Sequence, residues 1–163
     1  MIKNIVIPSL MLLAILGCNP SKPRASDTIN IEFLIGLFQN DRLGKDKILL
    51  DNGFSIGYVD HVNTPVGEMR YEGYLKGYNI ADEKFEFIHY TTDGNYWLEY
   101  MTRKSKTTSS ILESIQSNPD LKKIAEGVFQ DKENTIVIER KTIILTSVYS
   151  VKIYENSFFK TLD

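Results

Sequence analysis

KFEFIHYTTDGNYWLEYM, residues 84–101, decides the fold. Apolar and aromatic side chains alternate with polar ones on both sides of Asp93-Gly94. That dipeptide suits a two-residue type I′ turn, whose two central positions both need positive φ. Residues 84–92 and 95–101 therefore read as the arms of a β-hairpin. A two-residue turn sets Thr91 opposite Tyr96, His89 opposite Leu98 and Phe87 opposite Tyr100, all on one side. Phe85, Phe87, Leu98 and Tyr100 are expected in the core, while Tyr90 and Trp97 project from the opposite side as a facing pair and candidate contact patch.

Outward from the hairpin, more strands follow. Asn52-Gly53 marks a turn, after which residues 54–61 and the tyrosine-rich 69–78 read as strands. Residues 135–140 and 143–154, dense in β-branched side chains, read as closing strands. Residues 29–38 fit both periods: Ile31, Leu34, Ile35 and Phe38 lie at helical spacing, while Ile29, Ile31, Phe33, Ile35 and Leu37 alternate. A helix is favoured there. Ser110-x-x-Glu113 has the form of a capping box opening a short helix, and Asn118-Pro119 restarts a second one with an apolar stripe of Leu121, Ile124, Ala125 and Val128. The expected architecture is α+β: a mostly antiparallel sheet with a short helical pair packed on one face.

The chain has 163 residues, of which 42% are hydrophobic and 25% charged, a composition that can support a packed core and excludes a disordered chain. One globular domain is expected over residues 28–163. The formal net charge is −2 and no long basic run occurs, so the phosphate-neutralising surface needed for nucleic acid is missing. Cys18 is the only cysteine, which rules out a disulfide within the chain.

Cys18 stands at the junction of a greasy run and a polar one. Lys3 precedes the apolar stretch 5–16, which is interrupted by Pro8 and too short to span a bilayer. Ile15-Leu16-Gly17-Cys18 then resembles the lipobox of bacterial lipoproteins. The resemblance covers the leader alone. It implies a signal peptide at 1–17 that is removed, a diacylglyceryl group on the Cys18 thiol, further acylation of the new amino group, and residence in the cell envelope held by membrane lipid. Asn19 is not the aspartate that retains many enterobacterial lipoproteins in the inner membrane, which points to the outer membrane in a cell that has two. Asn19 to Asp27, "NPSKPRASD", has the composition of an extended tether.

Candidate chemistry is sparse. Gly53-Phe54-Ser55-Ile56-Gly57 matches G-x-S-x-G and resembles the nucleophile elbow of α/β-hydrolases, and the order Ser55, Asp82, His89 follows that family. The elbow needs a helix after the serine, whereas "GYVDHVNTP" reads as a strand ending in a turn. His61 and His89 are the only histidines and no metal-ligand spacing occurs, so no metal and no cofactor are expected. Asp82, Glu83 and Glu86 read as solvated edge residues. Arg103, Lys104 and Lys106 form the one basic cluster, suited to a solvated loop or to anionic headgroups. Tyr71, Tyr74, Tyr78, Tyr90, Tyr96, Trp97 and Tyr100 gather aromatic residues in one region, which suits recognition or an ordinary sheet core.

These observations lead to a non-catalytic, lipid-anchored module that binds a protein or other envelope component through its sheet. An immunity- or inhibitor-type lipoprotein acting on a toxin or lytic enzyme is an alternative, and an esterase using Ser55 is a third reading. The anchor generates a direct test. Cys18→Ser removes the acylated thiol but leaves the apolar run able to engage export, so the protein accumulates uncleaved or away from the membrane with its folded domain unchanged. Membrane fractionation with intact-mass analysis checks this: a processed variant that stays with the membrane, its mass differing from the native chain only by the substitution, refutes the anchor.

Overall fold

The computed structural model of the chain describes residues 29–77, 80, 82–143 and 145–162. The leader expected at 1–17, Cys18, the tether at 19–27 and Tyr78 lie outside the described residues.

Two helices open the fold. Helix α1 (Ile31–Gln39) starts where the Asn30 side chain accepts the Phe33 N–H at 2.9 Å, and it buries Ile31, Leu34, Leu37 and Phe38. Of the two periods that residues 29–38 fit, the helical one forms. Helix α2 (Arg42–Asp51) is capped by Asp41, whose carboxylate accepts from the Gly44 N–H at 2.8 Å. Its inner face consists of Lys45 and Leu49, too little apolar surface for a sequence signal.

Eight antiparallel strands form one sheet in the order β1-β2-β3-β4-β8-β7-β6-β5. The first meander comprises β1 (Ser55–Thr64), β2 (Gly67–Lys76), β3 (Glu86–Thr91) and β4 (Trp97–Thr102). Helix α3 (Ser105–Ser117) then carries the chain to the far edge, where β5 (Lys122–Ala125), β6 (Val128–Gln130), β7 (Asn134–Ile143) and β8 (Thr146–Glu155) run back until β8 pairs with β4. The short α4 (Asn156–Phe159) follows. A mostly antiparallel sheet with accompanying helices is thus the observed architecture. No described helix is long and apolar enough to cross a membrane.

Strand alternation divides the core. The larger cluster joins Ile31, Leu34, Leu49, Ile111 and Ile115 of α1–α3 to Tyr74, Ile88, Tyr90, Leu98, Tyr100 and Ile153, which occupy one face of the sheet. The smaller cluster, Phe85, Phe87, Met101 and Val148, sits on the other face. Phe85, Phe87, Leu98 and Tyr100 are buried as expected, but on two different sides.

Two expectations are corrected. Strands β3 and β4 pair as Ile88↔Tyr100, His89↔Glu99 and Tyr90↔Leu98, one residue away from the two-residue-turn register. Asp93 does not close a tight turn, because its carboxylate accepts the Arg70 N–H of β2 at 2.9 Å. The Thr91 hydroxyl instead spans a wider loop, donating to the Gly94 carbonyl at 2.6 Å and accepting from the Tyr96 N–H at 3.2 Å. A slip of one residue exchanges the faces, so Tyr90 is buried under the helices and Trp97 lies on the opposite side: the Tyr90–Trp97 pair does not exist as a patch. The second member of the helical pair is likewise replaced. Residues 122–130 form the β5–β6 hairpin, turning at Glu126-Gly127 with Gly127 at φ +68°. The capping-box serine, Ser110, is internal to α3, which begins five residues earlier.

Another turn also departs from sequence expectation. The last three β7–β8 pairs, Lys141↔Val148 to Ile143↔Thr146, extend past the ends of β4 and β6 as a two-stranded ribbon. Its tip holds Leu145 at φ +64°, a left-handed conformation that costs an L side chain about 1–2 kcal/mol.

Gly127 gives a test whose sign separates hairpin from helix. A Cβ there would stand 2.6 Å from the Ile138 carbonyl oxygen, while the Gly127 carbonyl accepts the Ile138 N–H at 2.7 Å. Gly127→Ala is expected to lower unfolding free energy by roughly 2 kcal/mol or more through strain and backbone clash. In a helix the same change would raise it by about 1 kcal/mol. Urea titration reads the difference.

Candidate functional site

The face turned away from α1–α3 carries the chemistry. Among the described helices only α4 reaches it, at one end, where Phe158 and Phe159 pack on Tyr154. Pairing lines up one residue from each of six strands across the sheet: Tyr58, Gly73, His89, Glu99, Lys152 and Val137.

Glu99 is the centre of this row. Its Oε2 lies 2.7 Å from His89 Nε2, and its Oε1 accepts from Lys141 Nζ at 2.6 Å and from the Ser150 hydroxyl. The carboxylate is nearly inaccessible to solvent. Burial pushes its pKa up, but the hydrogen bonds from His89, Lys141 and Ser150 outweigh that and bring it down to about 2. Beside it, Glu139 pairs with Lys152 at 2.7 Å and with Lys141 at 3.4 Å, which carries the network across β7 and β8.

Four aromatic side chains enclose the His89 ring. Trp97 stands edge-on at 4.6 Å between centroids, with Phe87 at 5.0 Å and Tyr71 at 5.8 Å. Tyr58 completes the enclosure from β1, two strands away, with its hydroxyl 3.4 Å from His89 Nδ1. Gly73 makes this reach possible: a Cβ at that position would lie 2.7 Å from the Tyr58 ring. The phenol ring fills the gap left by the glycine and stacks on Phe87 at 5.7 Å. The result is a pocket of aromatic walls already occupied by the protein's own imidazole.

A hydrogen-bond relay therefore runs from buried Glu99 through His89 to the surface hydroxyl of Tyr58. Burial pushes the Tyr58 phenol up to about 12, so at neutral pH it stays a neutral hydroxyl rather than a phenolate nucleophile. No serine or cysteine hydroxyl or thiol meets His89 among the described residues. Ser55, the serine of the G-x-S-x-G match, opens β1 opposite Leu75 and is followed by strand, not helix. Asp82 caps its own loop by accepting the Lys84 N–H at 2.8 Å. The chain therefore does not bring Ser55, Asp82 and His89 together.

Other expected positions separate in the same way. Glu86 is buried rather than solvated, held by the Tyr100 hydroxyl at 2.8 Å and by Lys104, which removes Lys104 from the exposed basic cluster. Lys106 remains exposed, and His61 is exposed on β1 opposite Arg70. Trp97 is half-buried on the open face. Tyr58, Glu99, Lys141 and Ser150 escaped the sequence reading because they belong to four strands. Only the signal that pairs His89 with Glu99 was local, and the register had hidden it.

No known protein family, curated protein or solved structure matches the chain.

Acid titration tests the centre. The Glu99 pKa in the folded protein lies below its unfolded value of 4.5, so its stabilisation is complete above pH 4.5 and fades as pH falls toward 2. The loss amounts to roughly 3 kcal/mol at about 1.4 kcal/mol per pH unit. Glu99→Gln is expected to lower stability by about 3 kcal/mol near pH 7, because Lys141 and His89 lose their anion. Its unfolding free energy should also change less between pH 4.5 and 2 than that of the native chain, which chemical denaturation at a series of pH values measures.

Proposed function

We propose that the chain is a lipid-anchored protein of the bacterial envelope that binds a protein partner, without catalysis, through the sheet face centred on His89. One observation carries this reading: Tyr58, Tyr71 and Trp97 stand half-exposed around an imidazole fixed by Glu99, on a face that α1–α3 leave open. Tyrosine and tryptophan give large contact area with few rotatable bonds, and these rings are held by mutual packing before any partner arrives. The relay holds the Tyr58 hydroxyl in one direction at the edge of that surface, where its oxygen is a fixed polar contact. The lipobox at residues 15–18 supports the location. The contact patch is thereby recentred on Trp97 and Tyr58, with Tyr90 serving the core.

Crosslinking the full-length protein in its own membranes tests the face. A partner captured by the native chain should be lost about tenfold or more with Trp97→Ala and with Tyr58→Ala. It should be retained with Leu43→Ala, which alters an exposed side chain on α2. Each variant is compared only after cooperative unfolding shows that it folds. Equal capture by all three, or no capture by the native chain, overturns the reading.

A further inference from the structure

The β7–β8 ribbon ends in a sequence that contradicts its position. Two-residue hairpin turns favour asparagine, aspartate and glycine, which accept positive φ and face water. Here residues 143–145 are Ile-Ile-Leu, and Leu145 is 98% exposed at φ +64°. An isolated exposed leucine is ordinary, but one at the projecting tip of a ribbon, in a conformation that disfavours it, needs a reason.

Charge supplies a reason. The strand directions place this tip at the same end of the sheet as the β2–β3 loop and the start of α3. Lys84, Lys106 and Arg140 are exposed at that end, with Lys123 pairing Glu126 of the β5–β6 turn, against Asp82, Glu83 and, at the distant β1 side, Asp51. The opposite end carries exposed Glu68, Asp93, Glu133 and Glu155 against Lys132 and Lys160. A chain of net charge −2 thus keeps its excess negative charge at the end away from the Leu145 tip. An apolar tip with cations beside it matches an anionic lipid surface, where aliphatic side chains enter the acyl boundary and lysine and arginine meet the headgroups. Residues 19–28 can span at most about 35 Å, which keeps the domain within reach of a bilayer that holds Cys18.

We propose that the Leu145 hairpin tip inserts into the interfacial layer of the membrane and fixes this end of the domain against it. The proposal rests on the anchored reading for the presence of that bilayer. It also orients the molecule: with the tip in lipid, the strands stand off the surface and the His89 face looks sideways, open to a partner.

The test uses the full-length protein, purified with its native lipid and reconstituted into vesicles of phosphatidylethanolamine and phosphatidylglycerol. Leu145→Trp is the reporter, with the native protein providing the Trp97 background. Val66→Trp, at the exposed β1–β2 tip of the acidic end, is the comparison. Emission from the indole introduced at position 145 is expected to shift to the blue and to fall roughly twofold with brominated lipid, consistent with burial about 5–10 Å into the interface. The indole at position 66 should show neither effect. Replacing phosphatidylglycerol by phosphatidylcholine should weaken the response at position 145. Thr142→Trp, at an exposed position beside the tip, serves as a second reporter if the first variant does not fold. Emission at 145 that stays solvent-like on vesicles retaining the protein, or responds no more than at 66, overturns the tip and spares the anchor. A blue shift already present without vesicles means that another protein surface covers Leu145, and also overturns it. A chain that does not float with vesicles overturns the anchor; the tip is then judged by whether the Leu145→Trp emission responds to the same vesicles in excess, as insertion requires.

Discussion

The carboxylate of Glu99 is the constraint on which the sheet depends. It sits on β4 and receives hydrogen bonds from His89 on β3, Ser150 on β8 and Lys141 on β7, so one buried anion joins four adjacent strands. An unpaired carboxylate in that position would carry a penalty of several kcal/mol, and a slip of one residue in any of these strands turns its donor to the other face. The interaction thus works as a selector. Beyond its contribution to stability, it makes misregistered pairings expensive.

The opposite face uses the same device with other groups. Asp46 of α2 accepts from the hydroxyls of Tyr74, at 2.7 Å, and Tyr90, which fixes where the helix sits over β2 and β3. Lys45 of the same helix is fully buried yet has only Asn40 and Asn95 as acceptors, and burial lowers its pKa to about 8. Arg42 reaches Glu72, and Glu86 holds Tyr100 and Lys104. The helix-covered face is apolar in the middle and tied by polar pairs at its margins. Hydrophobic burial supplies the bulk of the driving force, and these pairs define one arrangement among many compact ones.

Placing the polar network and the aromatic rings on one face has a functional consequence. The rings around His89 are supported from below by the Glu99 network and from the side by Gly73, so their arrangement is set by the fold. A surface ordered in advance loses little entropy on contact. The Leu145 ribbon differs: its tip lies beyond its sheet neighbours and holds a strained turn, and Leu145 itself gains nothing from the core. One surface is packed and shaped, the other projecting and apolar, which suits the proposed recognition and membrane contact respectively.

Local chemistry determined much of this protein without tertiary information. Period-two alternation placed strands β1–β4, β7 and β8 close to where they lie, and the apolar spacing of residues 29–38 carried α1. The resemblance of residues 15–18 to a lipobox is legible only in sequence. What failed were the features that local chemistry leaves nearly degenerate. Asp93-Gly94 is a good two-residue turn, yet the Arg70 N–H on a third strand claims the aspartate and shifts the register by one, moving Tyr90 into the core and His89 onto Glu99. Residues 119–128 have a helical stripe, but Val128 and Phe129 find partners on β7, so a hairpin forms instead. The Glu99 site draws on four strands spread over some sixty residues, and only their assembled order brings a histidine, a lysine and a serine to one carboxylate. Sequence fixes the periodicity of each strand; which face a side chain occupies depends on pairing, and pairing is decided by contacts between residues far apart in the chain.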